Sequence, residues 1–363
     1  VVTSFYLIVA VAIVFGVLGA IFSRELLRLI NVPDNILNDA VTYLRIIFLG
    51  SVATALYNMV SQISRATGDS ITPMVMLIIS SLLNVGLNIL FVLAFDMAVA
   101  GVAYATVIAT VFATVVCFIY TWKRLPVIHP TKETIKPDTE VIRMVIKIGI
   151  PSALQSSTMV IGQILVQSII NGFGSVVIAA YSAATKIEAL VSNPPGGFTS
   201  AMQVYAGQNV GAGNFSRVKK GFNVSLKIIL VYTVISSTIM IVLGRQLMSI
   251  FTKTDSAMID IGREYLILAA IGSLFCGIVF LTRSTLNGAG DASAGVWISA
   301  LELLGRVAGA FALAKLFGYI GAFAGGPIGW FIGGAYGTVR YLSGGWKKKR
   351  LVKTDIQAET AEL

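Results

Sequence analysis

Charged side chains are scarce in this sequence. They make up 12% of its 363 residues, whereas hydrophobic residues make up 56% and the mean hydropathy is +0.84. A soluble domain carries about 25% charged residues, so this composition excludes an ordinary soluble protein. Long uncharged apolar stretches instead recur from end to end, as they do in proteins that cross the bilayer several times.

Cysteine and histidine are nearly absent. Cys117 and Cys276 lie inside apolar runs without metal-ligand spacing, and His129 is the only histidine. A set of metal ligands and a Ser/His/acid arrangement are both excluded by this scarcity, and no phosphate-binding loop is present. We therefore expect that the protein is not an enzyme, that it holds no cofactor, and that both cysteines are small buried apolar residues.

The net charge of +10 is concentrated in a few segments. Lysines and arginines cluster in alternate loops and in the basic tail at residues 347–350, next to apolar stretches. Cytoplasmic loops of membrane proteins have this bias, and no nucleic-acid-binding motif accompanies it. We therefore expect a monomeric multi-pass protein of the cell (inner, cytoplasmic) membrane, in contact with lipids and not with nucleic acid. Its C-terminus would be cytoplasmic.

Hydropathy predicts an all-α polytopic membrane protein with ten spans, each near the ~20 residues that a bilayer crossing needs. The predicted spans are Val1–Ile21, Thr42–Ser64, Ile71–Phe95, Ala98–Trp122, Ile146–Asn171, Val176–Ala206, Asn223–Gly244, Glu264–Asn287, Ala294–Phe317 and Tyr319–Leu342.

A polar, proline-containing segment divides these spans into two groups. It predicts an incomplete N-terminal lobe of four spans over residues 1–122, a cytoplasmic linker over 123–141, a complete C-terminal lobe of six spans over 142–342 and a cytoplasmic tail over 343–363.

An internal repeat supports this division. The stretch YLRIIFLGSVATALYNMVSQISRATGD at Tyr43 aligns with YLILAAIGSLFCGIVFLTRSTLNGAGD at Tyr265, at an offset of 222 residues. Because the second copy begins with two spans that the first copy lacks, the repeat predicts about eighty residues ahead of Val1 and six plus six helices in the intact protein. Both copies would insert with the same orientation, as a parallel repeat.

Five of the charged residues within predicted spans call for an explanation. Glu302 and Arg306 are four apart on one helix face, where they either brace the bundle or handle an ion or substrate. Lys186 and Glu188 are ~200° apart around their helix, so each needs another partner and at least one should face a cavity. Arg283 is expected to extend its charged end to the membrane surface.

Prolines and amides mark further candidates. Pro194 and Pro195 should break the sixth span, either as a merely structural kink or as in helices that line a transport pathway. Amide stripes on two helices either line a cavity or bond neighbouring helices. The amide candidates are Gln155, Gln163 and Gln167 on one helix and Asn84 and Asn88 on another, with Tyr181, Gln203, Tyr57, Asn58 and Gln62 as weaker candidates.

Four segments resemble the multidrug and toxic-compound extrusion family. They are AGQNVGAGNFSRVKKG at residues 206–221, RATGDSITP at 65–73, NGAGD at 287–291 and KIGIPSALQ at 147–155. The resemblance covers essentially the whole chain. It implies twelve helices in two lobes around a central cavity and a Na⁺- or H⁺-coupled antiporter that exports small organic, often cationic, compounds.

The carry-over of site residues is limited in two ways. Some branches of the family place a coupling carboxylate in the first helix of the N-terminal lobe, which would lie ahead of Val1. Others place a glutamate in the first helix of the C-terminal lobe, where this sequence has Ser157 and Met159 instead. Glu302 with Arg306 is therefore the leading pair. A lipid-linked oligosaccharide flippase and a non-transporting membrane scaffold remain alternatives.

Overall fold

The computed structural model describes residues 2–29, 32–125, 129, 136–192 and 194–348. Most of the predicted linker, at residues 126–128 and 130–135, and the tail from residue 349 onward lie outside the described residues.

The described chain is helical and contains no strand, which confirms the predicted all-α class. The helices are α1 (Val2–Ile21), α2 (Ser23–Leu29), α3 (Asp34–Ala66), α4 (Ile71–Ile89, continued by a π-helical turn at Leu90–Ala94), α5 (Ala98–Arg124), α6 (Thr139–Asn171), α7 (Ser175–Ser192), α8 (Pro194–Gly211), α9 (Phe215–Val242), α10 (Gly244–Met248), α11 (Ser256–Gly288) and α12 (Ala292–Leu342), followed by a 3₁₀ turn at Gly345–Lys348.

Eight of these helices are long and apolar enough to cross a membrane, and α7 with α8 form a bent ninth span. The axes of α7 and α8 differ by 47° across the break that precedes Pro195. The 51-residue α12 is reversed at Gly318, where φ is +62°, so it contributes two spans. Within the described residues the count is therefore ten, as hydropathy predicts.

Several helices begin well before the predicted spans. α3 begins at Asp34 rather than Thr42, and α11 begins at Ser256 rather than Glu264. Hydropathy detects only the apolar part of a helix, whereas backbone hydrogen bonding continues into polar first turns outside the hydrocarbon. A short helix stands before each of these two long helices, α2 before α3 and α10 before α11.

The chain divides into two compact units, residues 1–146 and 147–363. The repeat recurs in their helix bounds, because α3 and α11 are both 33 residues long and both their ends differ by 222. Each helix ends in the same turn. Gly68 and Gly290 have φ of +95° and +88°, and the next amide, of Asp69 or Asp291, donates to a carbonyl five residues back, as in a Schellman motif.

The aspartate of this turn has a different environment in each unit. Asp291 is 1% exposed and accepts two hydrogen bonds from Arg340 at 2.9 and 2.6 Å. Asp69 is more exposed and accepts bonds from the backbone N–H and the hydroxyl of Thr72 at 3.1 and 2.8 Å. These bonds hold the pKa of the Asp69 carboxyl below its usual value, with a smaller contribution from Arg124.

Glycines hold the two halves of α12 against each other as an antiparallel hairpin. Gly321, Gly325, Gly329, Gly333 and Gly337 recur every four residues. A methyl group at the third of these would come within 2.6 Å of the Glu302 carbonyl oxygen, so only a glycine allows this approach. The hairpin thereby fixes the position of the charged helix face of α12 in the C-terminal unit.

Candidate functional site

A cavity of about 490 Å³ opens within the C-terminal unit, between α6, α7, α11 and both halves of α12. This volume is within the range of small-molecule sites. Its wall combines apolar, aromatic and charged side chains. The lining residues are Met159, Gln163, Val166, Gln167, Tyr181, Thr185, Lys186, Glu188, Ala189, Tyr265, Cys276, Phe280, Arg306, Phe323, Gly326 and Trp330.

Glu188 places a carboxylate in this wall. Its Oε2 accepts a short hydrogen bond from the hydroxyl of Tyr265, which is itself 8% exposed. The bond ties α7 to α11 and fixes the direction of the carboxylate. Because Glu188 forms no salt bridge with any described residue, the carboxylate remains available to a cation that enters the cavity.

Three aromatic rings stand beside this carboxylate. The ring centroids of Tyr181 and Tyr265 are 5.1 Å apart in an edge-to-face arrangement, and Phe323 lies 5.8 Å from the first and 5.2 Å from the second. Ring faces attract cations, and apolar rings also pack against aromatic ligands. Tyr265 and Phe323 are 8% and 2% exposed, so they hold the partly exposed ring of Tyr181 in place, and this ring can contact a compound that is both aromatic and positively charged.

Lys186 and Gln163 also line the cavity, and both side chains are exposed. Lys186 forms no hydrogen bond or salt bridge with any residue that the structure describes. Gln167 lies in the same wall and donates to the side-chain oxygen of Asn171 at 2.9 Å. The expectation that Lys186 and Glu188 would not pair agrees with this placement, and both line the cavity.

Glu302 lies behind the wall rather than in it. It is 3% exposed, and its Oε1 accepts a hydrogen bond of 2.7 Å from Arg306, which does line the cavity. Its Oε2 is 3.7 Å from the guanidinium of Arg283 and has no hydrogen bond. Glu302 is therefore shared between two arginines, and Glu188, not Glu302, is the carboxylate that reaches the cavity.

The expectation for Arg283 is wrong. Arg283 does not extend to the membrane surface: it is 7% exposed, donates to the hydroxyl of Ser299 at 3.2 Å and lies 4.8 Å from the ring of Phe280. The hydropathy plot places Arg283 near the end of a span, but α12 packs on that side and supplies Glu302 as a buried counter-charge.

The other candidates lie away from this cavity. Gln155 is 5% exposed and accepts a hydrogen bond of 3.0 Å from Asn287, so it links α6 to α11. Gln203 is exposed and is not part of the wall. In the N-terminal unit, Asn84 donates to Thr106 at 3.3 Å and accepts from Asn88 at 3.1 Å, which links α4 to α5.

The prolines of the predicted break stand at the start of α8. α7 ends at Ser192 and α8 begins at Pro194, where a proline suits the first turn because its missing N–H would have no partner there. The break separates α8 from the part of α7 that carries Lys186 and Glu188.

Sequence reasoning missed Tyr265, Phe323 and Trp330 as members of the site. In the sequence, Tyr265 stands out only as the counterpart of Tyr43 in the repeat. Aromatic residues in apolar helices give no signal that separates a cavity from a lipid-facing surface. Helical spacing from Glu188 does not identify these residues either, because they lie on other helices.

Comparisons with known proteins agree with this fold. A profile of the MatE family matches residues 1–90 and 151–312. The probable multidrug resistance protein YoeA of Bacillus subtilis (strain 168) is 27% identical over 356 residues, which are 94% of this chain and 75% of that protein. The multidrug export protein MepA of Staphylococcus saprophyticus is 24% identical over 309 residues, which are 85% of this chain and 68% of that protein.

Solved structures share the helical arrangement. A MATE protein in complex with MaL6 superposes with a TM-score of 0.88 at 22% identity, over 96% of this chain and 79% of that one. A MOP superfamily transporter from Pyrococcus furiosus has a TM-score of 0.89 at 20% identity, over 95% and 78%. At these identities the likeness concerns the fold.

Proposed function

The chain belongs to the MatE family, and from that premise we propose that it exports small organic, often cationic, compounds in exchange for an inward-moving Na⁺ or H⁺. The relatives named as multidrug resistance and multidrug export proteins support the export of drug-like molecules. The cavity of the C-terminal unit is the site at which we place the exchange.

The observation that carries this proposal is the carboxylate of Glu188 in the cavity wall. A charged group within a membrane span is costly unless it has a partner or a function. Tyr265 donates one hydrogen bond to this carboxylate, and no described cationic side chain forms a salt bridge with it. A proton, a Na⁺ ion or a cationic substrate can each satisfy the remaining negative charge.

Competition for one carboxylate produces exchange. When the coupling cation binds Glu188, a cationic substrate loses its counter-charge and is released; when the substrate binds, the coupling cation leaves. The ring of Tyr181, held in place by Tyr265 and Phe323, contributes cation–π attraction and contact area to the substrate. Alternating access then carries the two ligands in opposite directions.

Arg306 has a supporting role in this proposal. Its guanidinium is held by Glu302 at 2.7 Å and lies 5.6 Å from the ring of Trp330. Fixed in this way, it remains a positive charge in the wall that opposes Glu188. It thereby limits how strongly the cavity retains a cation and allows release.

The proposal is tested in drug-sensitive bacterial cells that lack their own exporters. Full-length protein should lower the accumulation of ethidium and raise the drug concentration that stops growth. The variant Glu188→Gln, which keeps a hydrogen-bonding side chain but loses the charge, should abolish both effects at equal protein level. Glu264→Gln is the matched control, because Glu264 lies on α11 and accepts from Tyr319 at 3.1 Å outside the cavity.

Protection by wild-type protein that persists undiminished in Glu188→Gln would overturn the assignment of Glu188. Rescue of a flippase-deficient strain without any protection from drugs would instead support the oligosaccharide flippase, and neither effect would support the membrane scaffold.

A further inference from the structure

The charges around the cavity of the C-terminal unit do not balance. Its wall holds two cationic side chains, Lys186 and Arg306, and one carboxylate, Glu188. Behind the wall, Glu302 and Arg283 add one charge of each sign, and Glu302 is shared between Arg283 and Arg306. The cavity therefore has an excess of one positive charge when all of these groups are ionised.

Among the three cations, Lys186 is the one that forms no salt bridge with a described residue, because both arginines contact Glu302. Arg306 is paired with Glu302 at 2.7 Å, and Glu188 accepts a hydrogen bond from Tyr265. Lys186 has no such partner among the described residues, and Glu188 lies ~200° away around the same helix.

Nearby amides cannot replace a counter-charge. Gln163 and Gln167 are the other long polar side chains of the wall, and the amide nitrogen of Gln167 already donates to Asn171. A carbonyl oxygen can accept a hydrogen bond from an ammonium group, but it leaves the charge uncompensated. Lys186 is exposed in the cavity, so its ammonium stays charged and accessible, and an anionic ligand is the partner that can supply the missing opposite charge.

We propose that Lys186 forms an anion subsite that binds the carboxylate, sulfonate or phosphate group of a small aromatic substrate. The aromatic ring of this substrate packs against Tyr181, and its acidic group contacts the ammonium of Lys186. The inference deepens the proposed function, on which it rests only in treating the cavity as the place where substrates bind. It names a feature of the substrate that Glu188 does not recognise.

Binding to purified full-length protein tests the subsite without requiring transport. Three probes share one ring system and differ in charge: 2-naphthoate, 2-naphthylmethanol and 2-naphthylmethylammonium. Equilibrium dialysis against empty micelles removes the contribution of detergent. Wild-type protein should bind 2-naphthoate about tenfold to a hundredfold more tightly than the neutral alcohol, as expected for one charge-assisted hydrogen bond.

Substitution of Lys186 should remove this preference. Lys186→Met keeps the aliphatic stem and should bind naphthoate no better than the alcohol, whereas Lys186→Arg should retain the preference. Lys227→Met is the matched control, because Lys227 is an exposed lysine on α9 outside the cavity wall. Unchanged melting temperatures would show that all three variants are folded.

Equal binding of naphthoate and alcohol by wild-type protein, or an undiminished preference in Lys186→Met, would overturn the subsite. Displacement of naphthoate by chloride or by phosphatidylglycerol at matched concentration would assign the site to an inorganic anion or a lipid headgroup, and would also overturn it. Lys186-dependent binding without any export would contradict the proposed function and leave the subsite standing. Export of cations by a protein that shows no preference for naphthoate would overturn the subsite and leave the proposed function standing.

Discussion

Removing the charge of Glu302 should destabilise the C-terminal unit more than any other single neutralisation near the cavity. Glu302 is 3% exposed and is the one carboxylate shared by Arg306 and Arg283, at 2.7 and 3.7 Å. Glu302→Gln leaves two guanidinium groups facing each other in a low-dielectric interior. Because neither arginine can lose its proton, we expect a loss of about 3–5 kcal/mol in the free energy of unfolding.

Double substitutions separate the two arginines. Glu302→Gln with Arg306→Gln restores the wild-type net charge but leaves Arg283 buried without a carboxylate. Glu302→Gln with Arg283→Gln leaves Arg306, which reaches the cavity and can be hydrated there. We therefore expect partial recovery of stability in the first double variant and fuller recovery in the second.

The assay is unfolding of detergent-purified full-length protein, read by intrinsic fluorescence, together with drug export by cells at matched protein level. Recovery of both stability and export in the second double variant would show that Glu302 and Arg283 only brace the helices. Recovery of stability without export would assign them a part in transport. A Glu302→Gln protein as stable as wild type would refute the reasoning, because the arginines would then not depend on this carboxylate.

Three further predictions concern the packing and the repeated turns. Gly329→Ala should destabilise the protein by about 1–3 kcal/mol, because the new methyl group would meet a backbone carbonyl at 2.6 Å, whereas Gly326→Ala meets nothing within 4 Å and should unfold like wild type; equal melting temperatures would contradict this. Asp291→Asn should cost about 1.5–3 kcal/mol, because it weakens the charge-assisted hydrogen bonds from the partly exposed Arg340 to a buried carboxylate. Asp69→Asn, at the equivalent turn, should cost less than about 1 kcal/mol, and the reverse order in denaturant unfolding would be inconsistent with the geometry. The pKa of Asp69 is lowered on folding. The contribution of its carboxylate to the free energy of unfolding should therefore be constant above the ordinary carboxyl pKa and be lost as pH falls through the lowered value. The difference in melting temperature between wild type and Asp69→Asn should accordingly shrink in acid rather than grow.

Much of the fold follows from hydropathy and from the repeat. Ten spans require only local signals, namely apolar runs, and the equal lengths of α3 and α11 follow from the repeat. The starts of α3 and α11 cannot be predicted in this way, because a polar first turn has no hydropathy signal.

The candidate site is predicted less completely for a physical reason. The position of Glu302 four residues before Arg306 indicates their pairing, and the structure has that pair. Which carboxylate reaches the cavity depends on how α7, α11 and α12 pack, so Glu188 could not be ranked above Glu302 from spacing alone. The burial of Arg283 and the separate roles of Gln155 and the other amides of its helix depend on the same packing.

Exchange at Glu188 is the central claim, and cation-driven transport in proteoliposomes tests it most directly. Full-length protein is reconstituted with ethidium, and a Na⁺ gradient or a pH gradient is imposed in separate experiments. We expect one gradient to drive ethidium movement in the direction opposite to the cation in wild-type protein and in Glu264→Gln. Glu188→Gln should show no response to either gradient. Gradient-driven movement of the same size in Glu188→Gln, or ethidium movement that no cation gradient changes in wild-type protein, would contradict the account.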